Sequence, residues 1–281
     1  PKDFDKADHG LQKLRVASYF GLVFATYSDA TPPFEEWVGV VAEGIRRVCH
    51  KPLKVLGYDT QRIHANWKAY HENPRDSYHA NILHTFYGTF GLSRQNQESG
   101  MVLDTTGKHV YFYTKAGTEK EGKDFQETSS TLRSVNDGLK LKDPSILKWT
   151  DEFGDGVSVQ ILTLYPSFVL HQIANSLATR QLIPRGPNEA DLVWTYFGYT
   201  DEDDTLTQIR LMQANLAGSA GMISVEDAAV CEMVRKAVGD GQTGESFIEM
   251  GGRDLTSGGS HKLSERAIRN FWHNYRKDMG L

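Results

Sequence analysis

The stretch from Val157 to Tyr199 constrains the fold more than any other part of this chain. β-Branched and aromatic side chains recur there with the alternation of half-buried strands. Three strands are predicted, Val157–Pro166, Phe168–Pro184 and Asp191–Tyr199, with Pro187-Asn188 in the last connection. Three helical segments then close the chain, at about 203–217, 224–238 and 261–278. Before the strands, residues 14–28 predict two more strands turning near Gly21, and Pro32-Pro33 break the chain ahead of a helix. Phe34, Trp37, Val38, Val41, Ile45 and Val48 share one face of that helix, and Lys54 to Ile63 is strand-like. Residues 93–150 are polar and rich in Gly, Ser, Thr and Lys, which predicts a long, partly mobile excursion with one strand at 109–114. The pattern is α+β, an antiparallel sheet with helices bundled to one side.

Composition excludes several functions. The net charge is −5 and no block of Lys or Arg is present, so nucleic acid is a poor partner. No apolar run is long enough to span a bilayer and no signal peptide is visible, which argues against a membrane setting. Cys49 and Cys231 are the only cysteines. They suggest a reducing, cytoplasmic location and are too few for a Cys-ligated zinc or iron–sulfur site. The chain opens at Pro1 and runs straight into strand-like sequence, as expected for the middle of a longer polypeptide.

Function is concentrated in residues 66–84, NWKAYHENPRDSYHANILH. Asn66 is placed to cap a helix, Pro74 interrupts it, and Asp76 can begin a second one. Asp76-Ser77-Tyr78-His79 followed by His84 sets two imidazoles beside a carboxylate. The i,i+5 spacing leaves the rings well apart around a regular helix, so convergence on a metal requires a distorted one. Asp76, three residues before His79, can accept a ring N–H and fix the tautomer. A packed histidine beside a surface one explains the pair as readily when the segment is taken alone. A third, anionic ligand is offered by Asp227, although on local sequence alone Ser224-x-x-Asp227 reads sooner as a helix-capping box.

Taken together, these residues resemble the catalytic domain of the large (α) subunit of Rieske-type aromatic-ring-hydroxylating dioxygenases. The resemblance rests on Asn66-Trp67-Lys68, Glu72-Asn73, Asp76-Ser77-Tyr78-His79 and His84, then Gln213-Ala214-Asn215-Leu216-Ala217-Gly218-Ser219-Ala220-Gly221 before Glu226-Asp227. It covers essentially the whole chain. Cys49-His50-Lys51-Pro52, Leu141-Lys142-Asp143-Pro144-Ser145, Glu249-Met250-Gly251-Gly252 and Phe271-Trp272 are similar to the branch that oxidises terephthalate, with salicylate and anthranilate oxygenases further off.

The resemblance implies a helix-grip, START-like catalytic domain over residues 1–281 and a mononuclear Fe(II) held by His79, His84 and Asp227. It implies that Asp76 passes electrons to the site and that Asn73 lies near the iron. It also implies a Rieske [2Fe-2S] cluster in an N-terminal domain. That domain's Cys-x-His and Cys-x2-His pairs do not occur in these residues. Electrons would come from NAD(P)H through a reductase, with or without a ferredoxin. The assembly would be an α3 trimer or α3β3 with a small β subunit, and the substrates O2 and an aromatic carboxylate. Arg180, on a predicted strand, has the planar fork that matches a carboxylate. Ile223 would shape the pocket. Where the terephthalate-like pattern suggests a second Arg, this chain has His261-Lys262, so Lys262 can supply charge but no fork. Two rival readings are a zinc hydrolase or lyase using the same three residues, and a non-catalytic ligand-binding module.

Overall fold

A computed structural model of the chain describes residues 3–90, 97–117, 140–239, 247–260 and 263–281. A hairpin of β1 (Arg15–Tyr19) and β2 (Leu22–Thr26) precedes the short helices α1 (Phe34–Val38) and α2 (Ala42–Val48). After β3 (Leu53–Ile63) the chain forms α3 (Trp67–Glu72), a 3-10 turn (Asn73–Arg75), α4 (Ala80–Leu83) and α5 (Thr85–Thr89). Then come β4 (Ser99–Leu103), β5 (Val110–Lys115), β6 (Val157–Leu164), β7 (Phe168–Ile173), β8 (Ser176–Pro184) and β9 (Ala190–Tyr199). The helices α6 (Asp204–Ala217), α7 (Met222–Gly239) and α8 (Arg266–Met279) follow.

Strands β3 to β9 form one antiparallel sheet of seven, in the order β3-β9-β8-β7-β6-β5-β4. Strand alternation sends successive residues to opposite faces. Leu162, Leu170, Leu177 and Phe197 pack with Val38, Val41, Ile45 and Val48 of the first helices. Ala178, Leu182, Leu192 and Trp194 on the other face pack with Tyr70 of α3 and Cys231 of α7. Helices therefore cover both faces rather than one. The early amphipathic segment supplies the second layer, and Gly44 lets α2 approach closely: a Cβ there would lie 2.8 Å from Leu162.

Two further expectations change. The polar excursion contributes two strands, because Ser99–Leu103 pairs with Val110–Lys115 and extends the sheet. Its residues 93–96 and 118–139 lie outside the described residues. The predicted strand Phe168–Pro184 is a hairpin, turning at Ala174 with φ 52° and at Asn175. Asn175 is buried and holds the turn by donating to the Thr150 carbonyl and accepting from the Thr150 N–H. Among the described residues no helix is long and apolar enough to cross a membrane.

Candidate metal centre

The histidine segment owes its shape to caps and breaks. Asn66 Oδ1 accepts from the Lys68 N–H at 3.1 Å and starts α3. Pro74 has no N–H to continue that helix, and the chain tightens into the 3-10 turn. Asp76 Oδ1 then accepts from the Tyr78 and His79 N–H groups, each at 3.2 Å, and turns the chain into α4. Helix α4 is a single turn, ended by His84 at ψ 85° before α5 resumes. This break overcomes the i,i+5 problem, since His84 leaves the helical path and its ring meets His79 edge-on at 5.2 Å.

Asp227 comes from α7, 3% exposed and on the inward face with Ile223. The capping-box reading of Ser224 and Asp227 does not hold. Helix α7 already begins at Met222, and Ser224 Oγ donates to Gln61 Oε1 at 2.6 Å. One donor atom from each of His79, His84 and Asp227 lies within 4.8 Å of the others. Asp227 Oδ1 is 3.5 Å from His79 Nε2 and 3.3 Å from His84 Nε2. Metal bonds of about 2.1 Å at right angles place donors about 3 Å apart, so the three fit one small first-row ion. Two imidazole nitrogens and a carboxylate also suit iron.

The outer ring nitrogens are tied down. His79 Nδ1 donates to the backbone carbonyl of Asp76, and His84 Nδ1 donates to Glu226 Oε2 at 2.8 Å. Both arrangements leave Nε2 with its lone pair facing Asp227. The tautomer of His79 is thus set by the Asp76 main chain, while the Asp76 carboxylate stands 3.9 Å from Nδ1. Asn73 joins the cluster, its Nδ2 donating to Asp227 Oδ1 at 2.8 Å and lying 3.2 Å from His79 Nε2. Burial works against charge on both His79 and Asp227, yet their mutual attraction wins: His79 is raised above the usual imidazole range and Asp227 held below the usual carboxylate range. Burial raises the Asp76 carboxyl, with His79 opposing.

A cavity of about 100 Å³ lies against this cluster, lined by all three convergent residues together with Asn73, Asp76, Ile223 and Arg180. Arg180 projects from β8, is 5% exposed, and stacks on Trp194 with its guanidinium carbon 5.0 Å from the ring centroid. Its Nη1 donates to Tyr70 Oη at 3.0 Å, while Nε has no partner. Lys262 lies outside the described residues. Sequence reasoning missed the roles of Glu226 and Tyr70. Glu226 is adjacent to Asp227 and Tyr70 follows Asn66-Trp67-Lys68, but only the fold turns them toward His84 and Arg180.

The family described as ring hydroxylating alpha subunit (catalytic domain) matches residues 41–280, and the chain belongs to it. It is 44% identical over its whole length to the terephthalate 1,2-dioxygenase terminal oxygenase component subunit alpha 2 of Comamonas sp, covering 67% of that protein. The anthranilate 1,2-dioxygenase large subunit of Burkholderia cepacia and the salicylate 5-hydroxylase large oxygenase component of Ralstonia sp are each 38% identical, again over all of this chain and 66% of theirs. The chain thus spans about two thirds of the length of these relatives. Among solved structures, naphthalene 1,2-dioxygenase from Rhodococcus sp superposes with a TM-score of 0.73 at 19% identity, over 94% of this chain and 66% of that one. That likeness places the sheet and its flanking helices in the same fold. The class is therefore the catalytic domain of ring-hydroxylating oxygenase alpha subunits.

Proposed function

We propose that His79, His84 and Asp227 hold a mononuclear Fe(II), and that the protein is the catalytic part of a terminal oxygenase that dihydroxylates a carboxylated aromatic ring. Terephthalate is the first candidate substrate, with a cis-dihydrodiol as product; salicylate, anthranilate and halobenzoates are the alternatives. Bound on two imidazoles and one carboxylate, Fe(II) supplies open positions for O2 next to the ring.

The residues of this chain do the rest. Asp76 and Glu226 keep both Nε2 lone pairs available by accepting the Nδ1 protons. Asn73 holds the Asp227 carboxylate in place. Asp76, joined to His79 through its carbonyl, is the proposed electron contact to a Rieske domain of a neighbouring subunit. In this reading residues 1–281 are the catalytic domain of a longer subunit whose Rieske [2Fe-2S] domain lies outside them. That subunit works as an α3 or α3β3 assembly. A reductase, with or without a ferredoxin, delivers electrons from NAD(P)H in the cytoplasm.

One observation carries the substrate class: a buried guanidinium without a carboxylate partner among the described residues lines the same cavity as the three convergent side chains. An unpaired buried charge is costly, and a ring carboxylate on its free Nε edge would offset that cost. The test is a panel of terephthalate, phthalate isomers, salicylate, anthranilate and halobenzoates, run with the full-length subunit and its reductase. Arg180→Gln is expected to lower kcat/KM on the preferred acid by about a hundredfold or more, with iron content unchanged. Equal efficiency in the parent and the variant would refute the carboxylate role.

A further inference from the structure

Tyr87 sits where two cavities meet. It lines the cavity at the metal centre and also a neighbouring one of about 150 Å³, and Val159 and Ile173 belong to both walls. The second cavity is largely apolar, bounded by Ile146, Leu147, Leu216 and Ala217. Helix α5 carries Tyr87 three residues beyond His84, and its ring meets the His84 imidazole edge-on at 5.6 Å. The side chain is 7% exposed, and its hydroxyl is buried without a hydrogen-bond partner. An unpartnered buried hydroxyl costs free energy, which a ligand group can recover. Asp227 and Arg180 line the same metal-centre cavity as Tyr87.

We propose that Tyr87 is the partition of one substrate pocket and a specificity-determining residue, its hydroxyl donating to the second polar substituent of a disubstituted benzoate. The proposal rests on the reading of Arg180 as the carboxylate anchor. One ring carboxylate goes to Arg180, and the ring is oriented by what its other substituent offers Tyr87. A ring with no second acceptor gains nothing from the hydroxyl. A two-ring acid meets the Tyr87 ring as a wall.

Anaerobic calorimetry on the full-length oxygenase tests this with benzoate, terephthalate, salicylate and naphthalene-2,6-dicarboxylate. Tyr87→Phe, which removes one oxygen, is expected to weaken the best-bound disubstituted acid about tenfold and benzoate less than twofold. Tyr87→Ala is expected to bind the naphthalene dicarboxylate at least tenfold more tightly than the parent does. Arg180→Gln should weaken all four acids alike. If Tyr87→Phe binds the disubstituted acids as the parent does, or weakens benzoate equally, the hydroxyl has no part in specificity. If Tyr87→Ala gains no two-ring binding, the partition is wrong; should that variant fail to fold, Tyr87→Leu replaces it. If Arg180→Gln changes nothing, the anchor fails separately, because comparing one- and two-substituent rings in Tyr87→Phe does not involve Arg180.

Discussion

Between Trp67 and Thr89 the chain breaks into three helices of four to six residues and a 3-10 turn, whereas β6 to β8 cross the opposite wall of the cavity in continuous antiparallel register. The helical wall holds its shape through a few backbone N–H groups donating to the side chains of Asn66 and Asp76. The sheet wall holds through ladder bonds and an apolar face that a one-residue slip would turn inside out. Local breaks let widely spaced ligands converge, and a rigid floor keeps Arg180 at a set position facing them. Two of the three proposed metal ligands thus stand on the adaptable wall, and the proposed carboxylate anchor on the stiff one.

The contrast predicts separate failures. His84→Ala should reduce iron to background by elemental analysis and abolish turnover, while the circular dichroism spectrum and melting temperature stay near the parent's. A large loss of fold in that variant would merge the two walls into one unit. Trp194→Ala on the sheet, where the indole is fully buried, should destabilise the protein by about 3–5 kcal/mol in denaturant titration. The two groups that hold the histidines from behind provide the finest test. Glu226→Gln should weaken iron affinity roughly 10–100-fold, whereas Asp76→Asn should keep iron bound and slow only electron delivery, seen in single-turnover kinetics. Iron loss in Asp76→Asn would show its carboxylate to be a support rather than an electron contact.

Much of this arrangement was legible beforehand. The alternation through Val157–Tyr199 and the spacing of the later helices predict elements that the structure contains, because burying one face leaves a period in the sequence. The hairpin turn at Ala174-Asn175 was not legible. It carries no Gly or Pro, and its stability comes from Thr150, far along the chain. Strand β4 was hidden in the same way, as Ser99–Leu103 is specified by its pairing with Val110–Lys115 rather than by its own composition.

At the site, His79 and His84 could be singled out because two imidazoles stand close together beside a carboxylate, and Asp227 because the flanking pattern matched a family. What local sequence could not decide was whether they meet. Ser224-x-x-Asp227 satisfies the rules of a cap, and only the packing of α7 against Gln61 shows that Ser224 is committed elsewhere. Sequence alone therefore determined which elements form, which residue types carry the chemistry and which family they belong to. The elements follow from periodicity, caps and composition within a few turns of chain, and the family from the resemblance of its motifs. Tertiary structure decided the rest: the break at His84, the pairing of Glu226 with His84, the free edge of Arg180, and the place of Tyr87 between two cavities. Each of these depends on groups that converge in space from distant positions, and a local pattern cannot encode such distances.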